Sequence, residues 1–465
     1  MKGISRFNFG VLLAVFTYAG VYASEHPSDS DELLRTPPAG PLTLAPERED
    51  RGIAAGIIPL STQESLRLLR AAPGTVVRLT GLESHLASDG KPVPLRRYEP
   101  FAPGAVVHLV SASGSVTIDP RNRRYFLAGT AQEGVGIAID PSSGEISGYA
   151  VRGSSRVQLS GFAGIGIEVN PVDSEPEGAN ECGTLLDHQT PEVQESVFNP
   201  PTASRSEAPQ GATLSFEAVV AVDTDTEWMA GKGNDPATAT DWITDLFLAM
   251  NVFYERDIET RLLIGDVILR TGSDPYSVPS NRSDQLDEFG EYWRVNMAAT
   301  ERNFAAMLSG RGISAGSFSG IAWIDVYCNK GQQWGQRTVG SYSFNAIGSS
   351  RTPGNTALYV GHEIGHNLGS PHTHCYSPEV DQCYNGESDC YTGPPSCPAG
   401  GKGTVMSYCH VSGSSGAGCG TNKQEFHPTV QSLLESRLAA NSPSCIAPWQ
   451  PAVEEMVHSS GFETP

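Results

Sequence analysis

The alternation of apolar and polar residues predicts a β-rich region followed by a different architecture. Between residues 106 and 169, short alternating stretches are separated by Gly, Pro and Asp, as in strands joined by tight turns. Residues 116–118, 124–127 and 136–139 are the clearest strands. Residues 171–211 are acidic, rich in Pro and Ser and without periodicity, so we predict an exposed linker there.

From residue 214 onward, the pattern predicts strands and helices in alternation. Strands are expected at 214–222, 262–269 and 320–327, because these stretches are short and rich in apolar residues. A helix whose apolar stripe begins at Ile243 lies between the first two strands, and a long helix is expected at 284–308. This order predicts an α/β domain built in layers.

Polar residues mark two candidate helix starts. Thr238 and Asp241 form a candidate capping box for the helix that carries Ile243. Asn355 is a suitable N-cap for a later helix. On one face of that later helix lie Gly361 and Gly365, which predict close packing against another element.

The chain from His362 to His372 reads HEIGHNLGSPH, and each of its key residues has a chemical task. Residues four apart share a helix face, so His362 and His366 can offer ring nitrogens to one metal ion. Glu363 can take a proton from water and pass it to a leaving amine. Gly369 can end the helix in the left-handed conformation, after which the chain turns back to deliver His372. Three ligands leave one zinc position open, which is the catalytic pattern.

Length, charge and the first residues narrow the function classes. The 465 residues suffice for two or three domains, and a formal net charge of −21 argues against nucleic acid as a partner. Lys2 and Arg6 precede an apolar run that ends in small residues at Ala23, which predicts a signal peptide. We therefore expect a protein that is secreted or exported to the periplasm, without a membrane span in its mature form.

The nine cysteines fit an oxidising compartment. Eight of them lie between Cys328 and Cys445, an even set that can form four disulfides, whereas Cys182 stands alone far upstream. The stretch from Cys375 to Cys409 combines cysteines with Pro and Gly. It is either a disulfide-stapled wall beside a cleft or a purely structural loop.

Taken together, these residues resemble a metzincin metalloprotease, most closely the adamalysin or reprolysin group. Besides the zinc motif, residues 303–310 resemble the end of a family helix, residues 320–323 the edge strand and Cys328 the first cysteine. Residues 404–408, TVMSY, resemble the methionine turn below the zinc. The resemblance covers about half of the chain and implies a twisted, mostly parallel sheet with helices and a zinc cleft.

The resemblance also implies an order of domains. A signal peptide (1–23) is followed by a β-rich propeptide and linker (24–205), a metzincin catalytic domain (206–448) and a C-terminal tail (449–465). Arg205 is a candidate position for the cut that separates propeptide from enzyme.

Several residue roles follow only from this resemblance. It pairs Cys328 with Cys445 and places Met406 below the zinc as structural support. Tyr408 resembles the tyrosine of serralysins and astacins, which serves as an extra zinc ligand or hydrogen-bond donor; the alternative is a tyrosine of the cleft wall. Cys182 resembles a cysteine switch, whose thiolate occupies the open zinc position until the linker is cut; the alternative is an unpaired or intermolecular cysteine.

Three features leave alternatives open, two next to the motif and one in an upstream strand. Adamalysins place Asp after the third histidine, and this chain has Thr373. His374 is an alternative third ligand, although it lacks the HxxGxxH spacing. Residues 320–324 are expected to pair with an extended peptide by β-augmentation, or else to form a covered sheet edge.

The sequence therefore predicts a secreted zinc endopeptidase that is made as an inactive precursor and acts on proteins or peptides. One alternative is an exported adhesion or binding module on the same scaffold. Another is a zinc hydrolase of cell-wall peptide amides. The intact Glu363 argues against a mere scaffold, because metal binding needs only the histidines. No oligomeric state is predicted.

Overall fold

The computed structural model describes residues 42–44, 56–60, 62–79, 93–129, 133–152, 155–171, 180–184 and 215–449. The predicted signal peptide, Arg205 and nearly all of the C-terminal tail lie outside these ranges, as does most of the predicted linker. All described residues belong to one unit. None of the helices in these ranges is long and apolar enough to cross a membrane.

A nine-stranded, almost wholly antiparallel sheet forms most of the N-terminal region. Its strands are β1 Leu42–Leu44, β2 Gly56–Pro59, β3 Val76–Leu79, β4 Val93–Tyr98, β7 Arg124–Gly129, β8 Glu133–Ile139, β9 Glu145–Arg152, β10 Ser155–Phe162 and β11 Gly166–Pro171. They lie in the order β1-β3-β4-β7-β8-β9-β10-β11-β2, and only β1 and β3 are parallel. Alternate residues such as Phe126 and Ile137 point to one face, where they bury an apolar core together with Leu68 of helix α1, Thr62–Arg70.

A second, mixed sheet carries the strands that the sequence predicted after residue 214. Its strands are β5 Val107–Ser111, β6 Gly114–Ile118, β12 Asn180–Thr184, β13 Phe216–Thr224, β14 Thr260–Arg270, β15 Phe304–Ser309, β16 Phe318–Ala322, β19 Tyr342–Ile347 and β20 Ala447–Pro448. The order is β12-β16-β19-β15-β13-β14-β5-β6, with β20 beside β13. The strands β14, β13, β15 and β19 are parallel, and β16 is antiparallel to β19. Strands β17 Gln332–Trp334 and β18 Arg337–Val339 form a separate hairpin.

Five helices accompany this sheet: α2 Thr226–Gly231, α3 Pro236–Ile258, α4 Arg282–Asn296, α5 Pro353–Asn367 and α6 Pro428–Ala440. The prediction of an α/β domain is confirmed. Helices α3 and α5 pack so closely that a side chain at Gly361 would meet the ring of Phe253 at 2.6 Å, as the glycine stripe predicted.

Both predicted helix caps are wrong. Helix α3 is capped by Asp235, which accepts a hydrogen bond from the Thr238 backbone, and helix α5 is capped by Thr352, which accepts one from the Asn355 backbone. In each case a proline follows the cap. The fixed φ of proline already suits the first position of a helix. Each helix therefore starts before the residue that the sequence analysis favoured as its cap.

The predicted helix at 284–308 is also wrong in its second half, and so is the helix end at 303–310. Helix α4 ends at Asn296, and Phe304–Ser309 is the buried strand β15 between β13 and β19. Its apolar run fits a strand covered on both faces, where alternation is lost. The strand predicted at 320–327 is shorter than expected, because β16 ends at Ala322.

The N-terminal region contributes to both sheets. Strands β5 and β6 extend the second sheet, with β5 parallel to β14. Strands β7, β8 and β9 lie against α3, so closely that a side chain at Gly136 would meet Leu248 at 2.7 Å. Segment 106–169 is β-rich as predicted, but its first hairpin joins the sheet of the following domain.

Candidate metal-dependent active site

Helix α5 and the turn after it bring three histidines together. His362 and His366 lie one turn apart in this helix, which is buried on all sides along nearly its whole length. Gly369 has a φ of +111°, which lets the chain leave the helix and return with His372. One nitrogen from each of the three rings lies within 4.8 Å of the others. The three predicted ligands therefore form one cluster.

Backbone carbonyls orient two of the rings. His362 Nδ1 is 2.7 Å from the Val405 carbonyl oxygen, and His366 Nδ1 is 2.7 Å from the Ser370 carbonyl oxygen. Since a carbonyl only accepts, both Nδ1 atoms carry the hydrogen and both Nε2 atoms keep a lone pair. These Nε2 atoms are 2.9 Å apart. Two lone pairs at that distance repel each other unless a cation lies between them.

The surroundings keep these imidazoles neutral, the form that binds metal. Burial, reinforced by the neighbouring histidines, lowers the pKa of His362 well below its ordinary value. Burial lowers the pKa of His366 to about 3. His372 Nε2 is buried without a hydrogen-bond partner among the described residues. Three ring nitrogens that lie this close together fit a divalent metal ion such as zinc.

The third histidine is held by a residue that sequence analysis missed. Glu387 Oε2 lies 2.6 Å from His372 Nδ1 and 3.0 Å from His374 Nε2. Burial raises the pKa of Glu387, but the two histidines outweigh this and hold it well below its usual range. His374 is thus engaged by Glu387 and is absent from the three-histidine cluster, which supports His372 as the third ligand.

Glu363 lies between the histidine cluster and strand β16. Its side chain is fully buried. A methyl group at Gly320 of β16 would overlap the Glu363 carboxylate, so the glycine leaves the space that this carboxylate fills. The carboxylate is therefore held next to the histidine cluster and against strand β16.

The predicted methionine turn lies directly below helix α5. Met406 is fully buried, and a side chain at Gly365 would meet its sulfur at 2.6 Å. Thr373 ties the third-ligand segment to this turn: its backbone N–H donates to the Met406 carbonyl at 3.0 Å, and its hydroxyl donates to Ser407 Oγ at 3.0 Å. Ser407 in turn donates to Asp381 at 2.5 Å. The threonine thus has a defined structural role at this position.

Tyr408 follows the methionine turn and lies against the ligands. Its ring centroid is 3.9 Å from that of His372 and 6.1 Å from that of His362, and only 6 % of the residue is exposed. The ring therefore borders the metal cluster. Its role as a ligand or hydrogen-bond donor stays a prediction.

The segment that carries Cys182 lies on the outer edge of β16. Strand β12 pairs in parallel with β16, and the register places Cys182 opposite Gly320. Strand β12 also approaches helix α5. The edge predicted to bind an extended peptide is thus paired with a strand of the same chain, while the Cys182 side chain lies outside what the structure describes.

Four disulfides use the eight downstream cysteines. Cys328 and Cys445 are paired, which confirms the pairing that the resemblance implied. The other three bridges lie in the loop that follows the zinc motif: Cys375–Cys390, Cys383–Cys409 and Cys397–Cys419. Glu387 and Asp381 lie in the same loop. No spacing in the sequence marks these two carboxylates, because the folding of the loop brings Glu387 to the histidines and Asp381 to Ser407.

Comparison with known proteins agrees with this geometry. Residues 217–422 match a reprolysin family model described as metallo-peptidase family M12. Among solved structures, the chain is similar to metalloproteinase-II from Bacteroides fragilis, with 10 % identity and a TM-score of 0.38, over 78 % of this chain and 90 % of that one. A likeness that weak carries no argument by itself.

Proposed function

From the membership of residues 217–422 in the reprolysin-like metallopeptidases of family M12, we propose a secreted zinc endopeptidase that is made as a latent precursor. The chain is a metalloendopeptidase, and its substrates are proteins or peptides. The proposal goes beyond the family match in three respects: the metal is zinc, the precursor is latent and the protein is secreted. The observation that carries the proposal is the convergence of three oriented imidazoles beside a buried glutamate.

The histidines would hold the metal and Glu363 would move the proton. His362, His366 and His372 offer three nitrogen ligands, which suits zinc better than the oxygen-seeking magnesium or calcium. A bound zinc ion would supply Lewis acidity, which polarises a peptide carbonyl and makes water acidic near neutral pH. Glu363 would take the proton from the attacking water and pass it to the amine that leaves.

The substrate would lie where β12 lies in the precursor. Strand β16 is an edge strand apart from its pairing with β12, so an extended peptide could take that place by main-chain hydrogen bonds. The ring of Tyr408 would border the reacting carbonyl from the ligand side. Shape and charge of the residues beyond this edge would then select the substrate.

Latency is supported by the position of β12. A strand in the place of the substrate excludes it, and Cys182 opposite Gly320 lies near the glutamate that Gly320 contacts. A thiolate there would occupy the open zinc position. A cut in the linker that follows residue 184 would be the first step of activation.

The experiment compares processed wild type with Glu363→Ala on a panel of denatured proteins. Loss of the proton acceptor should lower kcat/KM by at least about 100-fold. A chelator should abolish wild-type cleavage, and zinc should restore it whereas magnesium should not. Glu379→Ala serves as the control, because this partly exposed carboxylate bonds only Gln382 at 2.7 Å among the contacts described. Equal cleavage by wild type and Glu363→Ala would overturn the mechanism.

A further inference from the structure

We infer that Glu387 is the positioning residue for the third metal ligand, and that it also keeps the neighbouring histidine out of the ligand set. The inference deepens the proposed function and rests on it, since it concerns the same metal site. It assigns a role to the disulfide loop, which sequence analysis left open between a cleft wall and a purely structural element.

The geometry fixes the tautomers of two histidines with one oxygen. Glu387 Oε2 faces His372 Nδ1 at 2.6 Å and His374 Nε2 at 3.0 Å. A carboxylate only accepts, so both of these ring nitrogens carry hydrogen. His372 then keeps its lone pair on Nε2, which lies within 4.8 Å of the ligand nitrogens of His362 and His366.

The same bond disables the competing ligand. His374 is fully buried, and its ring lies 5.4 Å from that of His372 in a stacked arrangement. With its Nε2 donating to Glu387, only its Nδ1 keeps a lone pair, and His374 is not part of the three-histidine cluster. Without the carboxylate, either ring could change tautomer and turn. Either His372 or His374 could then serve as the third ligand.

The disulfide Cys375–Cys390 holds the carboxylate in place. It joins the residue after His374 to the third residue after Glu387, with 15 residues of separation. The backbone N–H of Tyr391 also donates to the His374 carbonyl at 3.0 Å. The loop is thus tied down on both sides of the contact. A carboxylate fixed in this way raises the basicity of the imidazole and orients it toward the metal.

The test measures zinc binding by the full-length chain in competition with a chelator. Glu387→Ala should weaken zinc affinity about 10- to 100-fold, and Glu387→Gln should lose less, because its amide oxygen can still accept the two hydrogen bonds. Asp389→Asn is the control matched to Glu387→Gln. It also replaces a carboxylate with its amide, but at an exposed position of the same loop. It should bind zinc like wild type.

A cobalt-loaded protein gives a second measurement that does not depend on activity. The visible absorption of Co²⁺ reports ligand geometry, so Glu387→Ala should alter the spectrum while Asp389→Asn leaves it unchanged. His372→Ala tests the site itself. If it bound zinc as tightly as wild type, the proposed metal site would fail, whatever Glu387 does.

The inference is overturned if Glu387→Ala binds zinc within threefold of wild type and keeps the cobalt spectrum. If that variant does not fold, Glu387→Gln decides, because it preserves the hydrogen-bonding shape and removes only the charge. Wild-type affinity and an unchanged spectrum in Glu387→Gln would then overturn the inference, because a neutral acceptor should hold the two rings less firmly than a carboxylate. Weaker binding with an intact circular dichroism spectrum would support it.

Discussion

Each histidine of the candidate metal site is oriented by a different acceptor. Val405 and Ser370 offer carbonyls to the two helix histidines, and Glu387 offers a carboxylate to His372. All three acceptors face Nδ1, so all three Nε2 atoms are left for the metal. At the residue scale, the site depends on the hydrogen bonds that orient the three rings as much as on the histidines themselves.

The space beside Gly320 leads to a prediction about Glu363, the proposed proton acceptor. In Gly320→Ala the new methyl group would overlap the Glu363 carboxylate, which must then rotate away from its place. Because a misplacement of about 1 Å costs about 100-fold in rate, kcat/KM of the processed enzyme should fall by about that factor. Zinc affinity, measured by chelator competition, should stay within about threefold of wild type.

The control for this prediction is Gly231→Ala. There the added methyl meets Ser349 at 3.4 Å, an ordinary contact far along the chain from the motif. It should leave kcat/KM unchanged. Full activity in Gly320→Ala would show that the glycine is not needed to place Glu363.

At the scale of elements, β12 pairs with β16 along the edge where we propose that an extended substrate binds. The two strands run parallel with Asn180 opposite Phe318 and Thr184 opposite Ala322. Every backbone position along β16 that could pair with a substrate therefore has a partner in the same chain. Such a pairing costs no translational entropy, so an extended peptide from solution competes at a disadvantage.

Cys182→Ala tests whether the thiol contributes to latency. If the thiolate occupies the open metal position, the mutant full-length chain should cleave a peptide substrate before any processing, at a rate at least about tenfold above that of the wild-type precursor. Glu181→Ala, next to it in β12, is the control and should stay latent. A Cys182→Ala precursor as inactive as wild type would rule out the switch and leave strand pairing alone.

At the scale of the whole molecule, the N-terminal region and the metallopeptidase domain share one apolar core. Tyr125 and Tyr149 of the first sheet lie in the same buried cluster as residues of α3 and α5. Arg123 crosses the boundary and bonds Asp245 of α3 at 2.8 Å with only 7 % of the arginine exposed. Strand β5 adds main-chain bonds to β14.

We therefore expect the N-terminal region to stay bound after the linker is cut. A chain nicked between residues 184 and 215 should elute as one species in size-exclusion chromatography and should gain activity only as the N-terminal fragment dissociates. Arg123→Ala should speed this dissociation about 10- to 100-fold, because it leaves Asp245 without its buried partner.

Arg124→Ala is the matched control. Its side chain bonds Asn122 in the same region, so dissociation should remain at the wild-type rate. Immediate separation of the fragments after nicking of the wild-type chain would contradict the expectation of a lasting complex.

The local pattern of the sequence was sufficient for the zinc motif, the strand at the start of the metallopeptidase domain and the glycine-marked helix face. Each depends on residues close together in the chain: His362 and His366 share a helix face at any position in a fold, and Gly369 can leave the helix wherever it stands. Local signals gave the wrong helix starts, because a proline at the first helical position set each start before the residue that was expected to cap it. They also gave the wrong structure for Phe304–Ser309, which is a strand because it lies buried between two other strands.

Tertiary structure alone decided which distant residues complete the site. Glu387 reaches His372 because a disulfide closes the loop between them, and Gly320 matters because β16 passes beside Glu363. The pairing of β5 with β14 in the second sheet and the pairing of β12 with β16 likewise connect segments that are far apart in the chain. Such contacts produce no periodic pattern in the sequence, because the residues that stabilise each segment lie far from it along the chain. The sequence by itself determined which side chains can bind a metal ion and move a proton, and only the fold determined which residues orient them and which strand pairs with β16.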